Sequence, residues 1–344
     1  MLPCFKFSRL LTGLPILLLA MVARAAEPAV PTPSPQTDET VRQLDTVEVI
    51  AKITGPGLWQ VRKDDKVLWI LGTQSPLPRR FEWESEELVE RLAESQLLIA
   101  PPSVKFEGVG AIRGLFLLPS LFKARRDPEG PSLEESVGPE LYAQWQVLKQ
   151  RYFPRKRKTD TWRPMIAALE LYSEAIEDAR MTGSGPVWKA VRKAARRLRL
   201  PIEEPAVTLR IEDPRGAIRS FAENRLDDMA CFRLTIERLE SDIALMRERA
   251  DAWAVGDVES LRALPLSDQN EACREAFLQA AVSKEQGFDN LPERVRDAWL
   301  ETAQKALEEH RSSVAVLPIS VLIDPSKGVV AELRALGFEV TEPE

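Results

Sequence analysis

The run Leu97-Leu98-Ile99-Ala100 contains no polar side chain, so it cannot be a strand with water on one face. Such a strand is satisfied only when both faces are covered, the situation of a parallel strand inside an α/β sheet. Its surroundings agree. Ser85 to Glu94 reads as a helix with Leu88, Val89 and Leu92 on one face. Before it, Leu58–Arg62 and Lys66–Leu71 are rich in aromatic and branched residues and are joined by Lys63-Asp64-Asp65, which predicts a hairpin. The second strand ends at Gly72, where a sharp turn is expected. Strand, helix, strand opens an α/β unit.

Downstream, Ser132 to Leu200 is dominated by helical spacing, with Met165, Leu169 and Ile176 on one helix and Val187 to Leu198 on another, strongly basic one. Glu204 to Ile211 reads as a strand beginning no earlier than Pro205. From Leu226, Phe232, Ile236, Leu239, Ile243, Met246, Ala250 and Trp253 recur at alternating four- and three-residue steps, one apolar stripe on a long helix. Gly256-Asp257 breaks it and Val258 to Leu264 resumes it. Val295 to His310 is helical, Val314 to Leu317 a buried strand, and Gly328 to Leu336 a helix stopped by Gly337 before a short strand at Phe338-Glu339-Val340. The expected fold is one α/β domain over residues 58–344, a central mixed sheet of N-terminal and C-terminal strands around a large helical middle.

The first 57 residues are of another kind. Lys6 and Arg9 precede an apolar run from Leu10 to Val22 and then Ala23-Arg24-Ala25, the pattern of a cleaved signal peptide over residues 1–25. Broken by Gly13 and Pro15, that run is too short for the ~20 residues of a spanning helix. Residues 26–57 begin as a tether rich in proline, with Pro28, Pro31, Pro33 and Pro35, too poor in apolar side chains to offset the entropy of ordering. Within it, Asp45 to Ile50 alternates like an exposed strand, expected to pair with the domain's own sheet, or else with a partner's sheet edge. A periplasmic or secreted location follows, with no transmembrane helix in the mature chain. Cys231 and Cys273 survive removal of the signal. In an exported chain an even pair predicts a disulfide, and a metal site built from these thiols and one distant imidazole is the poorer reading.

Several segments together resemble the TraB/GumN family. Trp69-Ile70-Leu71-Gly72-Thr73-Gln74-Ser75, the helix around Glu87 to Ala93 and the strand Gln96 to Pro101 follow the family's order of strand, Leu-Gly-Thr-x-His turn, helix and apolar strand ending in a carboxylate. Met246 to Trp253 with Gly256-Asp257 and Leu261 is similar to its helix, Gly-Asp break and helix. Val314 to Ser320 followed by Gly328 to Val340 is similar to its closing strand, Gly-x-x-His turn and helix. The resemblance covers about Leu58 to Glu344 and implies an architecture like that of the Tiki proteases and erythromycin esterases. It also implies histidine and carboxylate ligands that hold a divalent ion to polarise a carbonyl and activate water. Here the first metal-binding histidine falls on Ser75, the carboxylate on Pro101 and the second histidine on Ser320, while the glycine leading the back turn is Leu317.

A serine hydroxyl is a weak neutral ligand and does not replace imidazole in a site needing several strong donors. No metal and no other cofactor is therefore expected. Nucleophilic serine chemistry would need a base, and the one histidine of the chain, His310, sits at a helix end where a cation complements the helix dipole. No Gly-x-Ser-x-Gly elbow is present, and no spacing singles out a pair of carboxylates for acid–base work. The expectation is a catalytically degenerate protein of the cell envelope that binds or scaffolds, with an envelope protein or peptide as its partner. Gly72, Thr73, Gln74, Ser75, Pro101 and Ser320 would line a vestigial cleft. A metal-dependent hydrolase with a rearranged site and a purely structural envelope protein are the alternatives.

Charge is unevenly placed. The chain carries a formal net charge of -6, yet Arg155, Lys156, Arg157, Lys158, Arg192, Lys193, Arg196 and Arg197 make its middle basic. These are either a solvated face or a contact for an anionic surface such as lipid headgroups or envelope polymer. Nucleic acid is disfavoured, because no recognised binding motif is present.

Overall fold

The computed structural model describes residues 55–343 apart from 109–116, 118, 121, 127–129, 156–158, 184, 224–226, 266–267, 280–286, 289 and 325–327. The expected signal peptide, the tether and the strand at Asp45 to Ile50 lie outside the described residues.

The hairpin forms where the branched and aromatic residues demanded it, as β1 (Leu58–Lys63) and β2 (Lys66–Thr73), paired antiparallel from Leu58↔Leu71 to Lys63↔Lys66. The next three elements are β3 (Leu77–Pro78), α1 (Glu86–Glu94) and β4 (Leu97–Ile99). The apolar run near the end becomes β9 (Ser312–Pro318), parallel to β2 on one side and to β4 on the other. β7 (Ile202–Glu203) extends the parallel part beyond β4, and β10 (Glu339–Thr341) pairs antiparallel with β1. The result is a six-stranded mixed sheet in the order β10-β1-β2-β9-β4-β7. Its centre is apolar: Ile70, Leu71, Leu98, Ile99, Val314, Ala315 and Val316 are fully buried. Burying such branched side chains contributes about 1.5–3 kcal/mol each, which is why the run with no alternation occupies the interior of the sheet.

After β8 (Ala206–Arg210) come three helices that frame the sheet or link it to the helical middle, α7 (Met229–Ala254), α8 (Val258–Ala263) and α10 (Leu291–Glu309). Trp299, Leu300, Ala303, Ala306 and Leu307 of α10 join the core of the sheet. At 26 residues, α7 is about 39 Å long. Its apolar stripe serves two cores in turn. Cys231, Phe232, Ile236, Leu239 and Ile243 pack with the helical middle, whereas Ala250 and Trp253 pack with the sheet.

The helical middle consists of α2 (Leu133–Val137), α3 (Pro139–Tyr152), α4 (Pro164–Asp178), α6 (Pro214–Glu223) and α9 (Asp268–Gln279) around the first part of α7, whereas α5 (Pro186–Arg197) buries Val187, Val191 and Ala195 in the core of the sheet. Capping residues fix several ends. Ser132 and Glu135 form a reciprocal capping box at α2. Asp228 accepts from the Met165 N–H at 2.8 Å at the start of α4, and Arg249 donates to the carbonyls of Leu261 and Leu264 at 3.0 and 2.9 Å, closing the end of α8. The expected disulfide joins Cys231 of α7 to Cys273 of α9. The stop signal at Gly337 is a full Schellman turn after α12 (Val329–Ala335): Phe338 N–H reaches the Leu333 carbonyl and Gly337 N–H the Arg334 carbonyl.

The strand expected within Glu204 to Ile211, entering no earlier than Pro205, forms as β8. β7 ends before Pro205, and β8 leaves the central sheet to pair in parallel with β5 (Ser103–Glu107), from Ser103↔Ala206 to Glu107↔Arg210. Its Val207 and Leu209 pack instead with Leu291 of α10 in a small separate core. Val89 and Leu169, placed on apolar helix faces by spacing alone, are 41% and 37% exposed.

Candidate functional site

β2 and β9 are neighbours running the same way, so their C-terminal ends emerge side by side. Gly72 stands opposite Leu317 and Thr73 opposite Pro318. Thr73 Oγ1 also donates to the Leu317 carbonyl at 3.1 Å. The front turn, Gly72 to Ser75, thereby leaves the sheet beside the back turn, Leu317 to Ser320. The carboxyl ends of parallel strands are where an open α/β sheet exposes a crevice for ligands.

The front turn is held by the residues packed around Gly72. A Cβ on Gly72 would stand 2.4 Å from Ile319 Cδ1, 3.1 Å from Trp59 Cζ3 and 3.3 Å from Leu322 Cδ2, so the backbone closes directly on α11 (Ile319–Leu322). Trp253, at the end of α7, donates its indole N–H to the Gly72 carbonyl at 2.6 Å. Phe81 and Trp83 pack against the same indole, with ring centroids 5.7 and 5.6 Å away. Sequence reading placed Trp253 on an apolar stripe and missed its second role. The signal was an indole N–H, which seeks a partner once buried.

Gln74 is buried, whereas Thr73, Ser75, Pro101 and Ser320 are half-buried. Ser75 Oγ lies 3.8 Å from where a Cβ on Gly183 would stand, just past β6 (Met181–Thr182), which pairs with β3. Ser320 occupies the first turn of α11. Pro101 lies two residues beyond Ile99, as Leu317 lies two beyond Ala315, and Ile99 and Ala315 are partners across β4 and β9. The three positions that would carry ligands by resemblance thus follow the ends of three adjacent parallel strands.

The donors standing there do not fit a divalent ion. Ser75 and Ser320 offer neutral hydroxyls, and the Pro101 side chain offers no donor at all. Among the described residues, no group of three or more His, Cys, Asp or Glu side chains could hold a metal. His310 is the C-cap of α10, its N–H bonded to the Ala306 carbonyl, and it precedes β9. Since Ser320 follows the other end of that seven-residue strand, a rise of ~3.3 Å per residue puts roughly 20 Å of strand between them. His310 is out of reach as a base for either serine.

Displaced carboxyls lie at structural positions instead. Burial raises the pKa of Asp228, against the opposing pull of the Met165 N–H. Asp257, the N-cap of α8, is lowered by hydrogen bonds from the Ser260 hydroxyl and backbone N–H.

On α5, Lys189, Arg192, Lys193, Arg196 and Arg197 line a shallow concavity of 440 Å³. Arg155 is exposed at the end of the helical region after α3, and Lys156, Arg157 and Lys158 lie outside the described residues. Among the described residues, no helix is long and apolar enough to cross a membrane.

Comparison with curated proteins and with solved structures gave no significant match. The sequence pattern of one family does match, over residues 57–342, which takes in the hairpin, both turns, the long helix and the closing strand. The chain belongs to the TraB/PrgY/gumN family.

Proposed function

We propose that this protein is an exported, catalytically degenerate member of its family that binds an envelope protein or peptide in the crevice between the front and back turns. The observation that carries the reading is the pairing of Gly72 with Leu317 and Thr73 with Pro318. That pairing keeps two turns side by side although Ser75, Pro101 and Ser320 stand where the family's reaction needs imidazole and carboxylate. Retained geometry with altered donors suits recognition better than hydrolysis. Thr73, Gln74, Ser75 and Ser320 supply the hydroxyl and amide groups that would meet a peptide backbone. Export is supported by the basic, apolar and small-residue order of residues 1–25 and by the Cys231–Cys273 bridge, a bond favoured in oxidising compartments.

Metal content and peptide hydrolysis of the purified protein test this, together with binding of an unbiased peptide library. The expected result is no stoichiometric zinc, manganese or cobalt, no chelator-sensitive turnover, and selection of peptides whose binding is lost in Gln74→Ala and Ser75→Ala. Stoichiometric metal with turnover that chelation abolishes would sink the proposal in favour of a hydrolase with a rearranged site. Peptide selection unaffected by either substitution would remove the crevice from it.

A further inference from the structure

We propose that the outer face of α5 is a docking surface for the phosphate headgroups of an anionic phospholipid bilayer. Lys189, Arg192, Lys193, Arg196 and Arg197 follow the spacing i, i+3, i+4, i+7, i+8, so all five fall on one side of the helix. The stripe is about 12 Å long. Val187, Val191 and Ala195 on the opposite side are buried in the core of the sheet, which fixes the helix and directs the cations outward.

Local stability does not account for this arrangement. Lys189–Lys193, Arg192–Arg196 and Lys193–Arg197 are like-charge i, i+4 pairs, each of which destabilises a helix. Among the described residues one counter-ion approaches: Glu204 lies 3.3 Å from Arg192, and both side chains are more than two-fifths exposed, so screening leaves that pair weak. Lys189, Lys193, Arg196 and Arg197 are all exposed.

The shape and the overall charge select the occupant. The concavity is open and lined by flexible cationic side chains, with no aromatic platform on which a sugar or base would stack. It suits many phosphates presented in a plane better than one small anion held in a pocket. A chain of net charge -6 is repelled by a negative surface unless it approaches with its basic face first, so the remaining surface would orient the stripe toward the bilayer.

Co-sedimentation with vesicles tests this, using residues 27–344, which keep the whole compact unit from Ile53 to Glu344 and lack the apolar run at 10–22. Binding is expected to vesicles of mixed phosphatidylglycerol and phosphatidylcholine, to fall as salt is raised, and to be absent with phosphatidylcholine alone. At about fivefold for each basic side chain near an anionic bilayer, the triple variant Lys193→Ala/Arg196→Ala/Arg197→Ala should partition about a hundredfold more weakly. Alanine is a strong helix former, so the variant should melt no lower than the parent, and circular dichroism checks that it is folded. Equal binding to neutral vesicles, undiminished binding of the folded variant, or binding to soluble polyphosphate with none to vesicles would each overturn the proposal.

Discussion

At the scale of single residues, Gly72 shows how a turn can be fixed by space alone. A Cβ there would press on Ile319 Cδ1 and crowd Trp59 and Leu322, so any side chain at this position forces Ile319 to move. Gly72→Ala is expected to lower stability by about 1–3 kcal/mol through overpacking, read as a lower urea midpoint with an unchanged slope. An unchanged midpoint would mean that α11 yields freely. Asp228 makes a different prediction. Its folded pKa is raised chiefly by burial, so protonation favours the fold. That contribution is complete below the ordinary aspartate pKa and is lost as pH rises through the raised value. Asp228→Asn keeps an acceptor for the Met165 N–H and removes the titration. The melting temperature of the parent should therefore fall relative to the variant as pH rises across that window, and a constant difference would refute the assignment. The residue scale is also where the sequence was most legible. Ser75, Pro101 and Ser320 announce their donor chemistry by identity, whereas the bond from Trp253 to Gly72 spans 181 residues and has no local pattern.

At the scale of elements, α9 depends on one covalent tie. It packs on α7, and the Cys231–Cys273 bridge closes a separation of 42 residues, which in the chain-entropy model stabilises by about 4 kcal/mol. Reductant should lower the denaturation midpoint of the parent and leave the Cys231→Ser/Cys273→Ser variant unmoved, since that variant already lacks the bond. Equal sensitivity of the two proteins would contradict this. Long elements with strong periodicity, such as α7 and α10, could be read from the chain because apolar residues recur over many turns. The two-residue strands β3, β6 and β7 could not, since they are defined by a partner and hold too few residues for any period. β5 follows Pro101-Pro102, a pair that suggests a loop, and its partner β8 lies about a hundred residues away. Hence the strand after Pro205 was legible as a strand, and its departure from the central sheet was not.

At the scale of the whole molecule, the order of strands was the least legible property. Val314 to Leu317 declared itself interior by lacking polar residues, yet nothing in its sequence names β2 and β4 as the neighbours it separates. The resemblance to a family supplied the adjacency of front and back turns that composition could not. The same arrangement bears on when this protein can fold. A sheet whose interior strand β9 is made about 245 residues after its partner β2, as the register Val67↔Ser312 requires, cannot close while the ribosome is still translating its early part. Pairing over so long a separation is slow, and until β9 arrives the apolar edges of β2 and β4 wait for it. Completion of the sheet therefore has to follow synthesis of nearly the whole chain, and a product cut short before β9 would keep those edges bare.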